Sequence, residues 1–258
     1  MVREPMYVKM ARLRAETEPE VTLIEETDGR NFRLYSEKHH GACVTAGSEE
    51  AALARIDGEI NSLWSWAKGK PYTYKYKHRI IESFTADYPL DGTESHIIFS
   101  IERGPFHAIA YRVMKDMAVR SALCLGQMIE SLPDADAPLY GLPDGLTTAA
   151  DVRRAAFFGT GELFNKLGIG YENKGDLYAN RMFAVSSAET EGFMRNAEHI
   201  CDGEVWTLRK VLRRIIWRDR ILAKALYRAA ETEWGKGVCA DPFAFFKIRR
   251  AREGRRSE

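Results

Sequence analysis

Between Glu204 and Arg228 apolar residues recur at three- and four-residue steps. Leu208, Val211, Leu212, Ile215, Leu222 and Leu226 line one side, while Arg209, Lys210, Arg213, Arg220 and Lys224 form another. The pattern predicts a long amphipathic helix whose basic side faces water or a partner. The same period marks three more helices. One runs from Phe106 to Leu132, after Gly104 and Pro105 and before Pro133. Another starts at Thr147 and reaches about Leu167, with Gly159 and Gly161 weakening its middle. A third starts at Ser186, where a hydroxyl precedes acids, and ends near Asp202 and Gly203, with His199 at its end. Residues 133–145 and 168–180 read as loops.

Ahead of Pro105 the period shortens. Val8, Met10 and Leu13 sit near period-two spacing, Val21–Glu25 is β-rich, and Asp28-Gly29 signals a tight turn before Phe32–Ser36. The run Gly41–Gly47 leads into Ser48, which can cap a helix reaching about Lys68, with Glu49 and Glu50 in its first turn. From Tyr72 to His78 tyrosine alternates with lysine. That alternation describes a half-exposed strand, and it also describes a surface that stacks bases and contacts phosphates. His78–Phe84 and Ser95–Ile101 read as further strands or a linker around the turn Pro89–Gly92. The aromatic run Asp241–Phe246 is expected to tuck against the helices, and Lys247–Arg256 reads as a basic tail, solvated or in contact with nucleic acid. The expected chain is α+β, with a first domain over residues 1–103, a four-helix domain over 104–246 and a tail over 247–258.

Composition narrows the function classes. A chain of 258 residues that is 45% hydrophobic can bury a sizeable core, and a formal net charge of +1 gives no overall field toward nucleic acid or membrane, so such binding has to be local. No run of about 18 apolar residues is present, and the amino terminus carries charge where a secretory signal carries an apolar core, so a soluble, cytoplasmic protein is expected. Cys43, Cys124, Cys201 and Cys239 show neither zinc-ribbon nor disulfide-framework spacing and are expected as buried thiols. There is no phosphate loop, dinucleotide fingerprint or Ser-His-Asp order, and no cofactor is implied.

Two resemblances organise these elements. Gly41-Ala42-Cys43-Val44-Thr45-Ala46-Gly47, followed by Ser48-Glu49-Glu50-Ala51, resembles the glycine-flanked strand and acid-capped helix of the HicB-like fold, over about the first 68 residues. The likeness implies a small meander domain; the DNA-binding segment of the antitoxin members is missing. Gly203-Glu204-Val205-Trp206-Thr207-Leu208-Arg209-Lys210-Val211-Leu212 resembles the last helix of the DinB-like superfamily, and the likeness extends over about 105–234. It implies an antiparallel four-helix bundle, a tendency to form homodimers, and in many members a divalent metal held by three histidines, two of them four residues apart on this helix.

At the matching positions this chain reads Arg218-Asp219-Arg220-Ile221-Leu222, and no histidine follows Cys201. Arg218 keeps its proton and Leu222 has no donor atom, so the usual pair is absent and no metal is expected. His107, Arg218, Asp219 and Leu222 are the candidate cleft residues. His107, His199, Asp116, Asp219 and Glu130 are the side chains from which a substitute ligand set would have to come, and His39-His40 reads as a turn pair. Arg218 could hold a small anion or pair with its neighbours. The expected function is a small-molecule or protein binding module that has lost the metal. A thiol-dependent transferase or isomerase is the alternative, and nucleic-acid binding through Tyr72–His78 and the tail is the next.

Overall fold

The structure, a computed structural model, describes residues 18–190, 192 and 195–245. The expected strand around Val8–Leu13 and the basic tail lie outside the described residues. β1 (Glu20–Thr27), β2 (Phe32–Ser36) and β3 (Cys43–Ala46) form an antiparallel meander, and β4 (Lys77–Thr85) joins β1 in parallel, giving the order β3-β2-β1-β4. A parallel addition needs a crossover, and α1 (Glu49–Lys68) supplies it. Ser48 caps α1 as expected, accepting from the Ala51 amide at 3.2 Å, and Gly69 ends it in the left-handed region at φ 66°.

The helical half follows: α2 (Ser100–Arg103), α3 (Ala108–Glu130), α4 (Ala149–Asn165), α5 (Leu177–Thr190) and α6 (Leu208–Trp234), with a hairpin of β5 (His199–Cys201) and β6 (Glu204–Trp206) before α6. The chain is thus mixed α+β, with six helices, one four-stranded and one two-stranded sheet among the described residues. α3 packs on α5 and α6, and α4 on α5 and α6. Thr148 and Thr207 cap α4 and α6 through their hydroxyls.

The third helix lies earlier than the sequence pattern suggested. Its start signal is Asp176, which accepts from the Ala179 amide at 2.8 Å, and Leu177, Arg181, Ala184, Val185 and Ala188 form its buried face. Ser186 belongs to its last turns. The residues read as the end of that helix form the β5–β6 hairpin, turned by Asp202 and Gly203 at φ 52° and 79°. His199 is therefore a strand residue. Tyr72–Tyr76 carries no sheet pairing, since β4 begins at Lys77. Ser95–Ile101 is not a strand either; it ends a coil strap that leads into α2.

Both faces of the four-stranded sheet are covered. Val21, Leu23, Leu34 and Val44 belong to the core that includes Ile56, Ile60 and Leu63 of α1. On the other face Ile24, Tyr35 and Cys43 meet Phe99 of the strap and Trp217 of α6. Glu26 and Arg33 share that second face, fully buried, and Glu26 accepts from the Tyr35 hydroxyl at 2.7 Å and from the Tyr88 hydroxyl.

The basic side of α6 consequently does not face water. Arg209, Lys210, Arg213 and Arg220 are all buried. Arg209 donates to the Ile101 carbonyl at 2.9 Å, Lys210 to that of His96 at 3.0 Å and Arg213 to that of Ile97 at 3.2 Å, while Arg214 donates to Ser95 and Thr93. From the sheet, Arg33 donates to the Gly92 carbonyl at 2.9 Å and to that of Glu94. A strap without regular structure has no ladder to satisfy its carbonyls, and these cations take the ladder's place.

Close packing also explains one turn. Gly41 adopts φ 95°, and a Cβ there would stand 2.4 Å from Cγ2 of the fully buried Ile216. We expect Gly41→Ala to lower the unfolding free energy by about 3 kcal/mol, combining left-handed strain of about 1–2 kcal/mol with overpacking of about 1–3 kcal/mol. A urea-unfolding midpoint checks it, and an unchanged midpoint would contradict this packing.

Candidate functional site

The four cleft residues read from the sequence do not come together. His107 is exposed at the start of α3. Leu222 is fully buried in the apolar core. Arg218 donates from Nη2 to the Ala155 carbonyl at 2.7 Å, and its guanidinium lies over Gly159, where a Cβ would be 1.9 Å from Nη1. Gly159 is thus a place of close approach in a continuous helix. Asp116 and Glu130 are exposed and His199 is partly buried on β5. Among the described residues no three His, Cys, Asp or Glu side chains form a group that could hold a metal ion. His39 sits 2.6 Å from the Ser36 hydroxyl through Nδ1, and burial lowers the His39 and His40 pKa values to about 4 and about 3, so both imidazoles are neutral at pH 7.

Asp219 has the most defined surroundings of the four. It is buried against Arg181 of α5, with Nη1 at 3.0 Å and Nη2 at 3.4 Å from its two carboxylate oxygens, and it accepts from the Ser121 hydroxyl of α3 at 2.5 Å. Arg181 also donates to the Ala118 carbonyl at 2.9 Å and to the Thr160 hydroxyl of α4 at 3.2 Å. A guanidinium therefore fills the polar interior between α3, α4, α5 and α6 beside Asp219. A single carboxylate already neutralised by a fixed cation does not fit a divalent ion.

A different site lies between the sheet and α6. A crevice of about 890 Å³ opens along the free edge of β3, between α1 and α6, and is also lined by residues 90–92 and 141–143. α1 contributes Arg55, Glu59 and Ser62, and α6 contributes Ile221, Lys224 and Arg228, each set at the three- and four-residue steps that share a helix face. At its floor Glu59 accepts from Arg220 Nη2 at 2.9 Å and from Lys224. Burial alone would raise the Glu59 pKa, but Lys224 and Arg220 hold it down at about 2, so the carboxylate is charged at pH 7. Burial lowers the Lys224 pKa, and Glu59 opposes that. Arg55 is anchored to the Thr45 carbonyl at 3.0 Å.

The sequence pattern placed Lys224 on a basic side facing water or a partner and gave Glu59 no role. Their pairing joins positions 165 residues apart, and the linear pattern carries no signal for it. No family model matches the chain, and no match was found among curated proteins or solved structures.

Proposed function

We propose that the protein binds a small anionic molecule in the crevice between α1, α6 and the β3 edge. On this reading a HicB-like sheet is joined to a DinB-like bundle in which the Arg181–Asp219 pair takes the place of the metal. The observation that carries the reading is the ionic floor. Glu59 is matched by two cations, and the Lys224 ammonium gives Glu59 one of its three N–H groups, which leaves donors for a ligand. Arg55 and Arg228 add positive charge to the walls, and Asp91 is the one acid beside Glu59 in the lining. Val44, Leu142, Ile221 and Phe245 give the walls apolar area, which suits a carboxylate or phosphate on an organic body.

Titration calorimetry with inorganic phosphate, citrate and glutathione tests the proposal. At least one of these anions is expected to bind saturably, and Lys224→Met is expected to weaken it about tenfold, the loss of one charge-assisted hydrogen bond. That variant leaves Glu59 paired with Arg220. No saturable binding, or equal affinity in Lys224→Met, would refute the site. Glutathione conjugation that scales with protein and falls in His107→Ala, whose side chain is exposed, would instead support the thiol-transferase reading.

A further inference from the structure

α1 and the segment after it build a second surface, which meets the crevice at Asn61 and Tyr72. Asp57, Asn61 and Ser65 lie four residues apart on α1. Ser65 accepts from the Tyr72 amide at 2.9 Å, Asn61 accepts from the Tyr74 amide at 3.0 Å and donates to its carbonyl at 2.7 Å, and Asp57 accepts from the Tyr76 amide at 3.4 Å. Four helical residues rise about 6 Å and two extended residues span about 6.6 Å, so the two spacings match. The helix thus provides side-chain acceptors where a sheet would provide a neighbouring strand. It holds the chain extended with Tyr72, Tyr74 and Tyr76 on one side.

The result is a continuous run of rings. Trp64 and Tyr72 have centroids 6.4 Å apart, Tyr72 and Tyr74 5.9 Å, and Tyr74 and Tyr76 6.2 Å. Lys68 lies 5.1 Å over Trp64 and Lys70 5.4 Å over Tyr72, while Lys75 and Lys77 are exposed between and beside the tyrosines. Tyr74 is 54% exposed. From Trp64 to Arg79 the chain contains no acidic residue. A half-buried strand accounts for alternating tyrosines when they pair in a sheet; these do not, which leaves the exposed Tyr74 ring, between the partly buried Tyr72 and Tyr76 and near exposed lysines, to be explained.

We propose that this ring run is a docking surface for single-stranded nucleic acid, with bases stacking on Tyr74 and its neighbours and phosphates meeting Lys70, Lys75 and Lys77. Stacking is tolerant of sequence, so little base preference is expected. Duplexes keep their bases stacked inside and offer only phosphates, so they should bind more weakly. The surface is local, as a chain of net charge +1 requires.

The test is fluorescence anisotropy of the full chain with labelled U16 and dT16 and with a 16-base-pair duplex, across a salt series. Saturable binding to the single strands is expected, falling steeply with salt and exceeding binding to the duplex. Tyr74→Ala should weaken it about tenfold, and Lys75→Gln should shallow the salt slope by about 0.7. Tyr74 is exposed and Lys75 makes no contact that holds the fold, so neither variant should unfold the protein, and circular dichroism verifies this. Absence of binding at low salt would overturn the proposal. So would binding that Tyr74→Ala leaves unchanged but that glutamine at Arg249, Arg250, Arg252, Arg255 and Arg256 abolishes, which would place the contact on the tail. Equal binding of poly-glutamate, indifferent to Tyr74→Ala, would overturn it as well, by showing plain charge attraction.

Discussion

Asp219→Ala is expected to cost about 3–5 kcal/mol of stability, because it leaves the buried Arg181 guanidinium without its counter-charge. For a chain of this size that corresponds to a melting temperature lower by roughly 10 °C. Both side chains are only 2% exposed, and hydrogen bonds from α3 and α4 complete the arrangement, so no water is at hand to replace the lost carboxylate. Arg181→Met should be about as damaging, since it strands the carboxylate. The double variant Arg181→Met with Asp219→Leu should recover most of the loss, because apolar side chains of similar volume replace a buried ion pair at little or no cost. The cycle separates this account from a simple cavity effect, in which the two losses would add. A single substitution as mild as a surface change, within about 0.5 kcal/mol, would show that the pair does not hold the helices together.

How far the sequence announced these features depends on what kind of partner each residue has. The meander, α1 with its Ser48 cap, and the span of α3 were legible because apolar spacing and cap chemistry are local; α6 was legible in its middle, but Glu204–Trp206, read as its first turn, pair in β6, and the helix continues past Arg228 to Trp234. The third helix was misplaced because Ser186 and its acids imitate a helix start, whereas the actual start depends on Asp176 inside a glycine-rich stretch. The charged side of α6 was misread for a deeper reason. Burying a cation is recognisable in sequence when its partner is a nearby acid, as Glu204 is for Lys210, but Arg209 and Arg214 bond backbone carbonyls more than a hundred residues away. Every residue has a carbonyl, so nothing in the sequence marks which ones will serve. The candidate cleft failed differently. Arg218 and Asp219 are adjacent in sequence, and a helix turns about 100° per residue, so Arg218 meets Ala155 of α4 while Asp219 meets Arg181 of α5, and Leu222 is packed into the apolar core. Glu59 and Lys224 could be found only after the sheet and α6 had been placed together.

The clamp on the strap gives the second large effect. Arg213 meets both carboxylate oxygens of Glu102, at 2.5 and 3.0 Å, and donates to the Ile97 carbonyl, with its guanidinium 3.8 Å from the centre of the Phe99 ring. Arg213→Met leaves the buried Glu102 without its hydrogen-bonded cation, and a loss of about 3–5 kcal/mol is expected. Arg213→Lys separates charge from geometry: a lysine ammonium keeps the charge but cannot reach two carboxylate oxygens and a carbonyl from one planar fork, so it should recover only part of the loss. The distinctive readout is local. In Arg213→Lys the amides of Phe99 and Glu102, which bond Glu102 and the Phe99 carbonyl, should exchange with deuterium faster relative to those of β1 and β2. Full recovery in the lysine variant, or exchange that rises equally in strap and sheet, would mean that Arg213 supplies only charge. If the strap alone loosens, the basic side of α6 has a specific physical task. It lets an irregular segment be buried between sheet and helices, and so fixes the spacing between α1 and α6 that defines the crevice.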